Sequence, residues 1–232
     1  MMPELRGRSD GPTISISAER FWWRIAYGAT GEPGVVRNLP RGGTPSANEI
    51  WIPTGRRTEL LLSSPDVIHS LWVPAIAGKM DAIPGRVTRL ALEPTEPGVY
   101  RGVCAEFCGT AHAQMGLRVV AVPEEEYVAY VEAQAAPAAV TGGPGLQAFV
   151  RNGCAGCHTV RGTPADGDVG PDLTHVAGRM TIAAGRLPTT AENMVAFIRA
   201  PQHIKPGVEM PAFGMLPEEE LALIADWLGS LE

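Results

Sequence analysis

Cys104-Ala-Glu-Phe-Cys108-Gly-Thr-Ala-His112-Ala-Gln-Met115 places two thiols, an imidazole and a thioether within twelve residues. These are soft or borderline ligands, a set that favours copper or zinc over magnesium or calcium. The spacing is C-x3-C-x3-H-x2-M, and a further imidazole, His69, lies upstream at the end of an apolar run. Two copper ions sharing both thiolates would use this whole inventory. Each ion takes both sulfurs and one imidazole, with Met115 as a weak axial donor on one and a backbone carbonyl, best that of Glu106, on the other. Other readings use less of it. Zinc has little use for a thioether, a mononuclear blue-copper site leaves one Cys over, and a Cys104–Cys108 disulfide leaves out His112 and Met115.

Around this stretch the sequence reads as short strands. Thr13 to Tyr27 combines the alternating Ile14-Ser-Ile16-Ser with aromatic Phe21-Trp-Trp23 and is expected to be extended; Gly28 to Ser46 is expected to be turns. Further candidates are 49–52, 58–62, 67–73, 86–92, 99–104 and 116–122, separated by Gly, Pro and Asp turns. Many short strands at this spacing point to a mostly β, cupredoxin-like Greek-key sandwich. Residues 1–12 are expected to be a loose N-terminal arm, and 13–135 the sandwich domain, closed by a helix from Pro123-Glu-Glu-Glu126. Residues 136–145, rich in Ala, Pro and Gly, read as a linker.

Residues 146–232 read as a small all-α domain. A short helix over 146–152 leads into Cys154-Ala-Gly-Cys157-His158, the attachment signature of c-type haem. Cys154 and Cys157 would bind the haem covalently and His158 would take the iron; a thioredoxin-like pair or half a zinc site are the plainer readings. Thr189-Thr-Ala-Glu192 has capping-box spacing. Pro217-Glu-Glu-Glu220 opens a final helix with Leu221, Ile224 and Leu228 on one face. The sixth iron ligand should be a Met, from among Met180, Met194, Met210 and Met215. His175 and His203 are expected to be surface or supporting residues.

Composition excludes other classes. The net charge of −6 argues against nucleic acid as a partner. The four Cys are all used by the two motifs, so none is left for a structural disulfide. There is no signal-peptide pattern at the start and no apolar run of about 18 residues.

Phe21-Trp-Trp23, Val67-Ile-His-Ser-Leu-Trp-Val-Pro74, Lys79-Met-Asp-Ala-Ile-Pro-Gly-Arg86 and Gly102 through Met115 together resemble subunit II of the haem-copper cytochrome c oxidases. The resemblance implies a cupredoxin sandwich carrying the dinuclear copper centre CuA. It also implies copper ligation by His69, Cys104, Cys108, His112 and Met115, and by Glu106 through its carbonyl. The Glu106 carboxylate would then help hold magnesium at the contact with the oxygen-reducing subunit I. Residues 145–231 resemble class I cytochromes c. There the Pro171 carbonyl of Gly170-Pro-Asp-Leu173 accepts a bond from His158, and Lys205-Pro-Gly-Val-Glu-Met210 is the distal loop, with Met215 as runner-up to Met210.

The fused pair resembles those bacterial oxidase subunits that carry their own cytochrome. An external donor, such as a cytochrome or a copper protein, would reduce the haem; electrons would pass to CuA and on to subunit I, at the outer, periplasmic face of the cytoplasmic membrane. The chain itself would only transfer electrons. The family usually begins with two transmembrane helices, so the expectation is a soluble fragment or a start assigned inside a longer gene. The alternatives are a stand-alone soluble haem and copper carrier, or a copper-delivery protein. A nitrous-oxide-reductase-like enzyme would need more than the five His present.

Overall fold

The computed structural model describes residues 10–232, in two compact units that divide after Ala135. The first unit is a pair of five-stranded sheets. One has the order β3 (Thr44–Ala47), β2 (Trp22–Tyr27), β1 (Thr13–Glu19), β5 (Thr58–Ser63), β8 (Thr88–Leu92). The other runs β4 (Glu49–Pro53), β10 (Gly116–Val122), β9 (Gly98–Cys104), β6 (His69–Trp72), β7 (Lys79–Ala82). Pairing is antiparallel except for β1 with β5 and β4 with β10. Ile14, Ile16, Trp23, Ile25, Ile50, Leu60, Leu71 and Val119 are fully buried, as side chains alternating along facing strands require.

Several expectations change here. Thr13 to Tyr27 is not one strand but a hairpin, with Ile16 opposite Ile25 and the turn at Arg20-Phe21. The Ser face of β1 is also buried, and at its end Arg24 and Arg37 pair with Glu19 at 2.8 and 2.7 Å. Residues 28–46 are not all turn: β3 forms from Thr44, and β7 also lies outside the expected strands. Of the expected arm, residues 1–9 fall outside the described residues. Asp10 and Gly11 are tied down, Asp10 Oδ1 accepting from Arg57 N at 3.0 Å and Gly11 N donating to Arg57 O at 3.3 Å. Helix α1 (Glu124–Ala135) starts with three acids over its positive end and packs on β3 and β4. Tyr130 stacks on Trp51 at 4.2 Å.

The second unit holds α2 (Pro144–Arg151), a small hairpin of β11 (Thr181–Ile182) and β12 (Leu187–Pro188), α3 (Ala191–Arg199), α4 (Pro201–Ile204) and α5 (Glu218–Leu228). Helices α2 and α5 cross where Gly145 lies. A Cβ there would stand 2.3 Å from Trp227 Cβ and 2.4 Å from Leu223 O, so only glycine permits the approach. The crossing brings Phe149 edge-on to Trp227 at 5.2 Å, in a core with Leu221, Ile224 and Leu228. Helix α3 is capped by Thr190, whose side chain accepts from Asn193 N; the cap is one residue later than Thr189, so the capping-box reading fails.

The stretch expected to be a linker is bonded into this unit. Ala138 is buried and its N–H donates to Arg161 O at 3.0 Å, while Trp227 Nε1 donates to Val140 O at 3.1 Å. His175 is not a surface residue. It is buried, with Nδ1 2.7 Å from Glu232 O and Nε2 2.9 Å from Ala136 O, so it joins the two ends of the unit. His203 is exposed.

Candidate metal centres

The strand register explains how a remote imidazole reaches the Cys stretch. Strands β6 and β9 are neighbours, with Leu71 opposite Cys104, so His69, two residues before Leu71, stands beside the loop that leaves β9. That loop returns as β10, and its base is closed by Cys104 N donating to Met115 O at 3.0 Å. Ala105 N donates to Ser70 O at 2.8 Å, fixing the loop to β6 as well. A single turn of 3-10 helix, His112–Gln114, presents His112 and delivers Met115 to the interior.

The donor atoms fall on two sides of a sulfur pair. The two Sγ atoms are 3.8 Å apart and not bonded to each other. Cys104 Sγ faces His69 Nδ1 at 3.9 Å and the Glu106 carbonyl at 3.2 Å. Cys108 Sγ faces His112 Nδ1 at 3.7 Å and Met115 Sδ at 4.0 Å. Two sulfurs about 2.3 Å from one shared tetrahedral ion stand about 3.8 Å apart, so the spacing suits thiolates that bridge metal ions. The donor atoms of His69, Cys104 and Cys108 all lie within 4.8 Å of one another. His69 is fully buried, and Met115, Cys104 and Cys108 nearly so.

Asp66 organises one side, and the sequence reading passed over it. It lies in the turn between β5 and β6 and accepts N–H bonds from Arg20 at 2.8 Å and Val67 at 2.6 Å. His69 Nε2 sits 2.9 Å from Asp66 Oδ1. Nε2 therefore carries the proton and the lone pair is on Nδ1, the nitrogen that faces Cys104. The Asp66-x-x-His69 spacing just after Ser64-Pro65 was the available signal. Burial opposes ionisation of Asp66, but the bonds from His69, Val67 and Arg20 outweigh it and hold the carboxyl well below its usual range. Burial alone would lower His69; the Asp66 and Cys104 bonds reverse that and raise it. Burial also works against the Cys104 thiolate, yet the His69 and backbone bonds draw that thiol down to about 7. Burial and the Cys104 charge push Cys108 up to about 12. The pair gives up one proton readily and holds the second.

The aromatic residues near β2 are mostly core. Trp23 is fully buried and edge-on to His69 at 6.4 Å; Phe21 is buried against Gly109; half-buried Trp22 lies under the Arg24 guanidinium at 4.6 Å. Phe107, between the two thiols, is largely exposed, and so is Glu106.

In the second unit, Cys154–Gly156 form a 3-10 turn, and His158 N donates back to Cys154 O at 3.0 Å. Cys154 and Cys157 are free thiols, and burial pushes Cys154 up to about 11. His158 Nδ1 lies 2.8 Å from the Pro171 carbonyl, as the Gly170-Pro171 motif suggested. That contact puts the proton on Nδ1 and the lone pair on Nε2, the arrangement an imidazole needs to bind iron. The ring rests against Gly170, where a Cβ would come within 2.5 Å of Cε1 and 2.7 Å of Nδ1. Gly170 N donates to Cys157 O at 2.7 Å, so the loop and the Cys motif are locked together. Of the four candidate Met, Met194 is buried inside α3, Met180 and Met215 are exposed, and Met210 is partly buried against the core.

A β-sandwich gathering two thiols, two imidazoles and a thioether, followed by a helical domain built on Cys-x-x-Cys-His, has the fold and donor sets of a cupredoxin-plus-cytochrome pair. Comparison with known proteins agrees. Residues 43–122 match the family described as cytochrome c oxidase subunit II, periplasmic domain, and residues 144–232 match cytochrome c. The cytochrome c oxidase subunit 2 of Alkalihalophilus pseudofirmus is 36% identical over 223 residues, covering 94% of this chain and 61% of the relative. That of Bacillus sp. (strain PS3) is 30% identical over 233 residues, covering 94% and 62%. The chain thus spans less than two thirds of those relatives. The crystal structure of the periplasmic domain of subunit II of cytochrome oxidase of Bradyrhizobium japonicum aligns at 25% identity with a TM-score of 0.48, over 55% of this chain and 95% of that one. Residues 43–122 thus resemble the periplasmic domain of cytochrome c oxidase subunit II, and residues 144–232 resemble cytochrome c. No helix among the described residues is long and apolar enough to cross a membrane.

Proposed function

We propose that the chain is the electron-transfer part of an oxidase subunit II. Electrons come from an external donor, a cytochrome or a copper protein, to the cytochrome domain. They pass to the sandwich domain and leave for the oxygen-reducing subunit I, at the outer face of the bacterial cytoplasmic membrane. In this reading the chain breaks and makes no substrate bonds. His69, Cys104, Cys108, His112 and Met115, with the Glu106 carbonyl, hold two copper ions. Cys154 and Cys157 attach the haem, His158 and Met210 take the iron, and Pro171 holds the His158 ring. The exposed Glu106 carboxylate is available to a magnesium ion at the contact with subunit I.

The observation that carries this reading is the two-sided arrangement around the sulfur pair: one imidazole and one weak donor on each side. Bound there, a dithiolate copper pair and a thioether-linked haem each supply a one-electron couple. The chain's own part is to keep the donors still. Met115 and His69 are packed in the sandwich, Asp66 fixes the His69 tautomer, and the Pro171 carbonyl fixes that of His158. For the sixth position, Met210 has the right burial: it is neither locked in a helix core like Met194 nor turned to solvent like Met215. Metal analysis with an EPR spectrum of the metal-loaded chain tests the assignment. Two copper ions in a mixed-valence signal and one low-spin haem are expected; one copper, or a high-spin haem, refutes it.

A further inference from the structure

Met210 lies in the loop that joins α4 to α5, and the loop is fastened at three places. At its start, Lys205 is almost fully buried, its N–H donates to Pro201 O at 2.8 Å, and its Nζ donates to Ala183 O in the β11–β12 turn at 3.2 Å. At its end, Phe213 N donates to Ile198 O in α3 at 3.1 Å. Between them, the Gln202 side chain reaches across from α4, and its Nε2 donates to the Met210 carbonyl at 2.6 Å.

The third fastening acts on the residue that matters. Gln202 is exposed, whereas Met210 packs against the core. The exposed amide grips the Met210 backbone while the Met210 side chain packs, partly buried, against the core. Pro211 follows, restricting Met210 to extended backbone and offering no N–H of its own. With the carbonyl held and ψ restricted, the Met210 backbone has little freedom to swing away from α4.

We infer that Gln202 is the positioning residue for the sixth iron ligand, holding the Met210 loop closed through the Met210 carbonyl. The inference rests on Met210 being that ligand. It assigns Gln202 no contact with the iron. Its effect is on how often the loop opens, and so on how readily an outside ligand replaces the sulfur while the iron stays ferric.

The test uses the full chain with its haem attached. Gln202→Glu keeps the size of the side chain but removes the donor, and Gln202→Arg keeps a donor. The readouts are the weak long-wavelength sulfur–iron charge-transfer band and the rate at which added imidazole displaces the native ligand of the ferric haem. Loss of one net hydrogen bond corresponds to about a two- to twelvefold faster displacement. Gln202→Glu should show that increase with unchanged helix content, and Gln202→Arg should return towards wild type. A Met210→Leu variant separates the two layers of the claim. If it keeps the sulfur–iron band, the ligand assignment falls. If it loses the band while Gln202→Glu exchanges at the wild-type rate, the ligand stands and the clamp is wrong.

Discussion

Replacing Asp66 by Asn keeps the size of the side chain and removes its charge, which isolates what the carboxylate does for His69. In the wild type Oδ1 takes the Val67 N–H at 2.6 Å and faces His69 Nε2 at 2.9 Å, while Oδ2 takes the Arg20 N–H at 2.8 Å. An amide has one oxygen. If that oxygen serves Val67 and His69, the new NH2 points at the Arg20 N–H, donor against donor. If it flips, the Val67, His69 and Ser64 donors lose that acceptor, Ser64 alone having another in the Val67 carbonyl. One frustrated, partly buried donor plus weaker neutral bonds to the rest comes to about 2–4 kcal/mol of stability in the metal-free domain. The lower end is expected, because the Asp66 side chain is 20% exposed and solvent screens part of its charge. The Arg20 guanidinium at 3.5 Å adds little, being 45% exposed.

The pH dependence has a definite sign. Asp66 is depressed, so its contribution is present above the ordinary carboxylate value of 3.8 and lost as pH falls through its lower folded value. His69 is raised above 6.5, so its contribution is present below that value and lost as pH rises through its folded one. The gap between wild type and Asp66→Asn should therefore be widest in the window between these two groups and shrink on either side. Urea unfolding across that range reads the gap. A chelator competition should show copper bound roughly 10- to 100-fold more weakly by the variant, the usual effect of losing a partner that orients a ligand. Equal unfolding midpoints within the window, together with equal copper affinity, would refute the role given to Asp66.

Two further outcomes follow from the same geometry. Gly170→Ala would bring a methyl within 2.5 Å of the His158 ring, forcing the ring off its 2.8 Å contact with the Pro171 carbonyl. Overpacking and the lost bond should together cost about 2–4 kcal/mol, and denaturant titration of the haem-loaded chain should detect it; an unchanged midpoint would mean that the imidazole is not confined there. Copper loading should release protons, and fewer as pH rises through about 7, where Cys104 is already ionised, but not fewer than one while Cys108, at about 12, keeps its own. Calorimetry in buffers of different ionisation enthalpy counts them, and a release that does not vary with pH would contradict the thiol assignment.

Much of this was legible in the sequence where spacing and chemistry coincide. Cys104 to Met115 carries the donor set and Cys154-x-x-Cys157-His158 the haem-attachment pattern, while the His158–Pro171 contact follows from the resemblance of Gly170-Pro171 to class I cytochromes c. Strands β4, β5, β8, β9 and β10 and helix α5 followed from patterning. Edge strands were harder: β3 and β7 each pair on one side only and carry polar or small residues, so little in their sequence demands a strand. The β1–β2 turn was hidden because the aromatic run that follows it looks continuous with the strand before it. Residues 136–145 have a linker's composition, but small side chains also suit the close packing that buries Ala138. His175 and Gln202 act on backbone carbonyls brought near only by the fold, and no spacing rule marks such partners.

The central claim is that two redox centres on one chain exchange electrons. Pulsed photoreduction of the fully loaded, oxidised chain tests it by following the haem and copper absorption bands at several protein concentrations. The account predicts that electrons appearing first on the haem move to the copper centre with a first-order rate independent of protein concentration. A rate that scales with concentration, or a haem that stays reduced beside oxidised copper, would contradict it.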